Sequence, residues 1–427
     1  MIRRTVSALL SAALLMGFCA CSDGSGTEKK FSLSNSTTDM MANVEPSAKA
    51  LVFKKDEDRQ QVFEKGYRNF ALMLFKKCSA KDGKKNTLVS PLSVMTALAM
   101  TANGAKGSTL DQMQKTLGKT MNSEQLNQYL GAYLNGLPSS EKAKFASANS
   151  IWAKENSLDF KKDFLQTNAD YYGADVFQSK FDQKTLDDIN GWVNENTDGM
   201  IPKVLDEIPG AAVMYLINAL SFDAEWQEIY REDQVYEGDF TDIDGTTEQV
   251  SMMRSTEPVY LNDGKAQGFV KPYASGYSFI AMLPNEGISL GDYISSMNYG
   301  KIVTQIKAEE PQPVLAILPK FSAKYATELS DVLRNNGMPD AFDQMKADFS
   351  GMADVTPGYL YISRVIHKTA IDVDERGTKA GAVTAVEMSK NAALMMNVVS
   401  LDRPFVYMII DNESSLPIFI GQVTHIK

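Results

Sequence analysis

Histidine is nearly missing from this sequence, since its 427 residues contain only His367 and His425. Histidine is the commonest general base and a frequent metal ligand. His425 is the third residue from the end, so a Ser-His-Asp or Cys-His triad would have to use His367, which lies in an apolar strand pattern. Gly-x-Ser-x-Gly, His-Glu-x-x-His, Walker and dinucleotide glycine motifs are missing as well. An enzyme therefore has little support and we expect no metal or cofactor, although 53 acidic residues leave a paired-carboxylate hydrolase open.

Cysteine and positive charge are also scarce. Of three cysteines, Cys19 and Cys21 lie close to the N-terminus, which leaves Cys78 alone in the body of the chain. A disulfide framework is therefore excluded there. The net charge of −10 provides no basic surface for nucleic acid. With 44% hydrophobic and 22% charged residues, the composition is that of a soluble globular protein with a sizeable core.

The apolar run at residues 6–18 is too short to cross a bilayer and follows two arginines at positions 3 and 4. This pattern is typical of a signal peptide, which we assign to residues 1–20. The run ends in FCACS at positions 18–22, which resembles a bacterial lipobox, where the cysteine that follows a small residue receives lipid. We therefore expect an exported protein that meets the membrane only through a lipid anchor on Cys21. A plain secretory signal cleaved near Ala20 is the alternative.

The rest of the chain divides into a polar segment and one long domain. Residues 21–55, poor in large apolar side chains, are interpreted as the lipidated cysteine and a flexible tether. Residues 56–427 show apolar periodicity with no second linker and are predicted to form a single domain. Helical spacing occurs in the first half, at residues 63–77, 93–101, 110–117, 123–134 and 160–172. Strand patterns occur in the second half, at residues 213–221, 277–283, 314–321, 360–373, 405–411 and 418–423. Helices followed by strands, without regular alternation, predict an α+β fold.

The most informative segment is DERGTKAGAVT at positions 374–384. From Thr378 onwards, very small residues occupy every second position, so one face of a strand formed here would fit into a crowded sheet. The polar turn before this segment also fits a loop. A segment that suits both states suggests a conformational switch, and an ordinary buried strand is the alternative from these residues alone.

Ordered motifs along the chain resemble the serpin family over about residues 60–427. They are NTLVSPLS at 86–93, LAMTANGAKGST at 98–109, INGWV at 189–193, TDGMI at 197–201, INA at 217–219, LPKF at 318–321, GMPDAF at 337–342, ADFSG at 347–351, DRPF at 402–405 and FIGQV at 419–423. The resemblance implies helices packed around a large central mixed β-sheet, smaller sheets, and an exposed reactive-centre loop at about 375–403. Together with the lipid signal, it suggests a surface lipoprotein of a Gram-negative bacterium.

The resemblance also implies a mechanism in which the loop is bait. A serine or cysteine protease cleaves it and forms an acyl-enzyme, and the loop then inserts into the central sheet and traps the protease. The expected hinge residues are Glu375, Gly377, Thr378, Ala380 and Ala382. Gly381 and Val383 depart from the usual alanines, but both would face outwards after insertion. No charged, bulky or proline residue occupies an inward hinge position, which favours an inhibitor over a non-inhibitory binding or carrier serpin.

The remaining expected sites also follow from the resemblance. Ser90, Ser93, Asn218 and His367 match a polar cluster beneath the sheet, called the shutter, while Trp226, Lys320 and Glu375 match the upper sheet, where insertion begins. The residue before the scissile bond usually lies fourteen positions after the hinge glycine, at Asn391, and a shorter register gives Lys390. Cleavage after Lys390 would suit trypsin-like proteases, whereas cleavage after Asn391 or Ala392 would suit elastase-like enzymes. A monomer is expected.

Overall fold

A computed structural model describes residues 31–47, 56–155, 159–355, 359–378 and 396–426, and residues Ser32–Lys427 form one compact unit. The helices in this part of the chain are α1 (Glu57–Asp82), α2 (Pro91–Ala102), α3 (Gly107–Leu117), α4 (Ser123–Gly136), α5 (Lys162–Tyr172), α6 (Gln183–Asn196), α7 (Leu290–Ser296), α8 (Tyr299–Ile306) and α9 (Ser330–Asn335). Among these helices, none combines the length and the apolar composition needed to cross a membrane.

The strands of the described residues form three sheets. The strands in chain order are β1 (Thr37–Asp39), β2 (Thr87–Val89), β3 (Ala143–Lys154), β4 (Asp175–Ser179), β5 (Met214–Glu225), β6 (Val235–Thr241), β7 (Thr247–Glu257), β8 (Val259–Asn262), β9 (Ala266–Pro272), β10 (Tyr277–Pro284), β11 (Val314–Pro319), β12 (Phe321–Glu328), β13 (Arg364–Val373), β14 (Gly377–Thr378), β15 (Asn397–Ser400), β16 (Phe405–Asp411) and β17 (Pro417–Val423). The α+β prediction, with a large mixed sheet and smaller sheets, is confirmed.

Several helices, α1 and α2 among them, begin where a side chain satisfies a free backbone donor. Asp56 caps α1 by accepting a hydrogen bond from the Arg59 backbone N–H. Ser90 caps α2 in the same way, and Pro91 occupies its first turn, where a missing N–H costs nothing. Every residue of α2 is buried, so this helix runs through the interior behind the central sheet.

The central sheet has the order β1-β4-β3-β5-β14-β13-β12. β5 and β13 also pair directly and in parallel, with Arg364 opposite Tyr215 and His367 opposite Asn218. At one end of this parallel pair the two strands diverge, and β14 lies between them. The sheet is therefore closed along most of the β5–β13 seam and open at a single end.

Two smaller sheets also contribute to the core. One has the order β2-β17-β16-β10-β9-β8 and the other β15-β11-β7-β6. The predicted strand at 314–321 is wrong as one element, because β11 ends at Pro319 in a smaller sheet and β12 starts at Phe321 in the central sheet. Proline lacks the N–H needed to continue a ladder, so the chain changes sheets there, and Lys320 lies at the crossing.

Residues 32–47, which the sequence places in the predicted tether, pack on the domain in the structure. β1 pairs antiparallel with β4 at the edge of the central sheet. The Asp188 carboxylate accepts hydrogen bonds from Ser34 N at 2.8 Å, Ser34 Oγ at 2.7 Å and Thr37 Oγ1 at 2.6 Å. From composition alone, a segment of short polar side chains is predicted to be flexible. Here these side chains donate hydrogen bonds to a carboxylate that lies far away in the sequence.

Candidate functional site

The open end of the β5–β13 seam holds the described part of the hinge. Thr378 of β14 lies opposite Ala224 of β5 on one side and Val373 of β13 on the other, and both pairings are antiparallel. Gly377 lies opposite Glu225. Two residues at the start of the predicted reactive-centre loop therefore already occupy a strand position between β5 and β13.

Gly377 is required at its position by close backbone contact. A Cβ atom added there would lie 2.0 Å from the Ala224 carbonyl oxygen, well inside any allowed contact. Thr378, the next residue, is fully buried. Its Oγ1 forms a 2.7 Å hydrogen bond with the Tyr273 hydroxyl, which is also buried. Both residues predicted to form the hinge here thus have a specific steric or polar reason for their identity.

Trp226 and Tyr230 hold the backbone that leads into β14. The Trp226 indole Nε1–H donates to the Asp374 carbonyl at 2.9 Å, and the Trp226 backbone N–H donates to the Arg376 carbonyl at 2.9 Å. The Tyr230 backbone N–H donates to the Glu375 carbonyl at 2.8 Å. Three consecutive carbonyls are therefore satisfied by one neighbouring segment, and Trp226, predicted for the upper sheet, lies beside the start of β14.

Lys320 and Glu375 form the predicted pair beside the open end. Lys320 Nζ lies 2.5 Å from Glu375 Oε2, with side chains that are 33% and 39% exposed. The hydrogen bond from Lys320 lowers the pKa of the Glu375 carboxyl. Because both side chains reach solvent, the pair holds the turn in position more than it stabilises the whole fold.

A second ion pair near Trp226 is buried and was not predicted from the sequence. Lys271 Nζ lies 2.8 Å from Glu257 Oε1, and the two side chains are 2% and 5% exposed. The ammonium also lies 4.2 Å from the Tyr230 ring centroid and 5.2 Å from that of Trp226. Burial alone would lower the Lys271 pKa, but Tyr230 and Glu257 outweigh it and raise that pKa. The available signal was a lysine that directly follows the apolar residues Phe269 and Val270 in β9.

The four residues named as the shutter lie together beneath the β5–β13 seam. The Ser90 backbone N–H donates to His367 Nε2 at 3.1 Å, so His367 Nδ1 carries the proton and donates to Asn218 Oδ1 at 2.6 Å. The Asn218 amide donates to both Ser93 Oγ and Asn149 Oδ1. Burial lowers the His367 pKa to about 3, so its imidazole is neutral. Asn149 completes the cluster from β3 and was missed, because a single asparagine in a strand has no distinctive sequence pattern.

The bait positions fall outside the described residues. Lys390, Asn391 and Ala392, together with the hinge alanines Ala380 and Ala382 and the lipidation candidate Cys21, are in this group. The described residues before this gap end at Thr378, in the central sheet. Those after it lead into β15, which starts at Asn397 in a smaller sheet. The predicted loop therefore connects two different sheets.

Comparison with known proteins agrees with this architecture. A family model described as "Serpin (serine protease inhibitor)" matches residues 65–426. Serpin B6 of Pongo abelii is 32% identical over 369 residues, covering 83% of this chain and 96% of that protein. The leukocyte elastase inhibitor of Equus caballus is 30% identical over 373 residues, covering 83% and 97%. The chain belongs to the serpin family, whose members are in general protease inhibitors and not catalysts.

The fold also resembles a solved serpin in two states. The thermophilic serpin tengpin in its native state is 46% identical, with a TM-score of 0.85, and covers 91% of this chain and 99% of its own. The same protein in its latent state gives a TM-score of 0.77, covering 88% and 100%. The present structure is therefore more similar to the native state than to the latent one.

Proposed function

We propose that the protein inhibits proteases as a suicide substrate: cleavage of its loop is followed by insertion of the loop between β5 and β13. One observation carries this proposal. Thr378 already pairs with both strands at the open end of the seam and Gly377 pairs with β5, so the start of the loop points along the path that insertion would follow. The small residues at alternate positions after Thr378 suit the same path.

Insertion requires the parallel pairing of β5 and β13 to be replaced. His367 of β13 lies directly opposite Asn218 of β5, and their side chains are hydrogen-bonded across the seam. This contact must break when a strand enters. Buried polar groups cost free energy when they are unpaired, so the shutter keeps the seam closed until the inserting strand supplies new backbone hydrogen bonds. The seam thus acts as a two-state element that cleavage of the loop biases.

The partners of this chain would be proteases that accept the residues near the proposed scissile bond. Lys390 suits trypsin-like enzymes, because a lysine side chain can form a charge-assisted contact in an acidic specificity pocket. Asn391 and Ala392 suit enzymes that favour small residues. The relationship to a protein named leukocyte elastase inhibitor supports including elastase-like enzymes.

The test is covalent trapping of a protease. The chain is incubated with trypsin and run on a denaturing gel, where we expect a complex that survives boiling. Thr378→Arg should instead be cleaved without trapping, because a guanidinium cannot enter the buried site of Thr378 without a large desolvation cost. Val383→Arg is the matched control, because its alternate position would face outwards, and it should still trap trypsin. A chain that is cleaved cleanly but traps none of a panel of trypsin-like and elastase-like proteases is a non-inhibitory binding or carrier serpin.

We also propose that the mature protein is an exported monomer anchored to a membrane by lipid on Cys21. The apolar run at 6–18 and the FCACS sequence support the export and the lipid anchor. Metabolic labelling with a fatty-acid analogue should mark the wild type, and Cys21→Ala should lose the label and leave the membrane fraction. Cys19→Ala is the matched control and should keep both. If Cys21→Ala still fractionates with membranes, the anchor lies elsewhere.

A further inference from the structure

We propose that Tyr273 is a positioning residue that keeps the hinge docked in the central sheet before cleavage, so that insertion starts from a pre-formed first pairing. This inference rests on the proposed function, because it concerns the speed of the insertion step. Tyr273 lies in the turn between β9 and β10, outside both the predicted loop and the shutter.

The contact between Tyr273 and Thr378 is the first argument. The two hydroxyl oxygens lie 2.7 Å apart, Tyr273 is 2% exposed and Thr378 is fully buried. A buried hydroxyl without a hydrogen-bond partner destabilises the fold. Each of these two groups therefore favours the conformation in which it is bonded to the other. Burial raises the Tyr273 pKa above its normal value. The phenol therefore keeps its proton at ordinary pH, and the contact does not depend on pH there.

The rigidity of Tyr273 is the second argument. Its ring is stacked on Trp226 with centroids 4.4 Å apart and planes inclined by 14°. It also meets Phe222 edge-on at 5.2 Å. Trp226 in turn binds the carbonyls of Asp374 and Arg376. The Tyr273 hydroxyl is therefore fixed by the same group of aromatic residues that fixes the hinge backbone, which makes it a support and not an incidental neighbour.

The kinetic consequence follows from the cost of starting a strand. The first residues of an entering strand lose conformational freedom before later pairings compensate for that loss. With Thr378 already paired to Ala224 and Val373, this step is complete before the protease attacks. Insertion then competes better with hydrolysis of the acyl-enzyme. A net hydrogen bond of ordinary strength corresponds to about a fivefold change in such a rate.

The experiment compares Tyr273→Phe with Tyr277→Phe. Both changes remove one buried hydroxyl, and both rings pack on Phe222 at 5.2 Å, but the Tyr277 hydroxyl donates to the Pro138 carbonyl and not to the hinge. With trypsin, we expect Tyr273→Phe to raise the ratio of cleaved to trapped inhibitor about fivefold. The association rate constant should stay within about twofold of wild type, since the bait residues are unchanged. Tyr277→Phe should keep the wild-type ratio.

Variants at the other partner complete the test. Thr378→Val should reproduce the effect of Tyr273→Phe, Thr378→Ser should restore the wild-type ratio, and the double variant Tyr273→Phe/Thr378→Val should be no worse than either single change. Equal effects of Tyr273→Phe and Tyr277→Phe, or an unchanged ratio in Tyr273→Phe, would overturn the proposal. So would additive effects in the double variant.

Hydrogen exchange of the uncleaved protein separates this proposal from the proposed function. Without any protease, exchange in a peptide that covers Glu375–Thr378 should become about fivefold faster in Tyr273→Phe and stay unchanged in Tyr277→Phe. If wild-type protein traps no protease but shows this difference, the inhibitory function fails while the docking role stands. If trapping occurs and the exchange is the same in all three proteins, Tyr273 does not hold the hinge.

Discussion

His367, at the seam of the central sheet, makes the free energy of unfolding depend on pH. Burial lowers its pKa from 6.5 to about 3, so the folded protein binds a proton there far less readily than the unfolded chain does. The resulting stability is fully present above about pH 6.5 and is lost as the pH falls towards 3. Between pH 6.5 and pH 5 we expect this residue to cost about 2 kcal/mol of unfolding free energy. The measurement is urea denaturation over that pH range.

His367→Gln provides the comparison for this pH dependence. Glutamine cannot take up a proton, so the variant should lose stability less steeply between pH 6.5 and pH 5, even though its stability at pH 7 is lower. His425→Gln is the matched control, because it removes the other histidine of the chain, which lies at the surface away from the shutter. Identical slopes for wild type and His367→Gln would show that His367 does not titrate on unfolding in this range.

Lys390 should decide which protease class is trapped. Replacing it with alanine removes the charge that trypsin recognises and leaves Asn391 and Ala392 for enzymes that prefer small residues. We expect Lys390→Ala to abolish the trypsin complex, while complexes with an elastase-like protease persist. Mass analysis of the released C-terminal peptide identifies the bond. If trypsin forms its complex at Lys379 or Arg403 instead, the proposed scissile position is wrong.

At the level of elements, the sequence predicted features that depend on local patterns better than features that depend on long-range contacts. Residues 63–77 and 123–134 lie within α1 and α4, because apolar residues at helical spacing and good capping residues act locally. The position of Thr378 between β5 and β13, and its bond to Tyr273, could not be predicted in this way. Tyr273 lies 105 residues from Thr378, and nothing in the sequence near either one identifies the other.

The edge strand β1 is the clearest case in which composition was misleading, and it yields a prediction. Asp188 accepts three hydrogen bonds from Ser34 and Thr37, so Asp188→Asn should weaken the attachment of β1 by about 2 kcal/mol. Limited proteolysis should then cut near residues 34–47 earlier than in wild type. Asp187→Asn is the matched control, since this exposed neighbour accepts a hydrogen bond from Gln183 within α6. Equal cleavage rates for wild type and Asp188→Asn would contradict the role of this carboxylate.

For the whole molecule, the proposed insertion requires that the uncleaved fold is not the most stable arrangement of the chain. After cleavage, the loop is held at one end only and could supply roughly ten strand hydrogen bonds at about 1 kcal/mol each. A gain of about 10 kcal/mol should raise Tm by roughly 20 °C or more. The test is calorimetry before and after one clean cut between residues 387 and 401.

Thr378→Arg serves as the internal comparison for this stability change. The cleaved variant has the same broken peptide bond and the same released loop as the cleaved wild type. Its guanidinium, however, obstructs the first buried position between Ala224 and Val373. Its Tm should therefore rise much less than that of the cleaved wild type. If both cleaved proteins gain the same Tm, stabilisation comes from release of the loop and not from insertion. If cleaved wild type gains nothing, the central sheet does not accept the strand, and the trapping mechanism proposed for this chain fails with it.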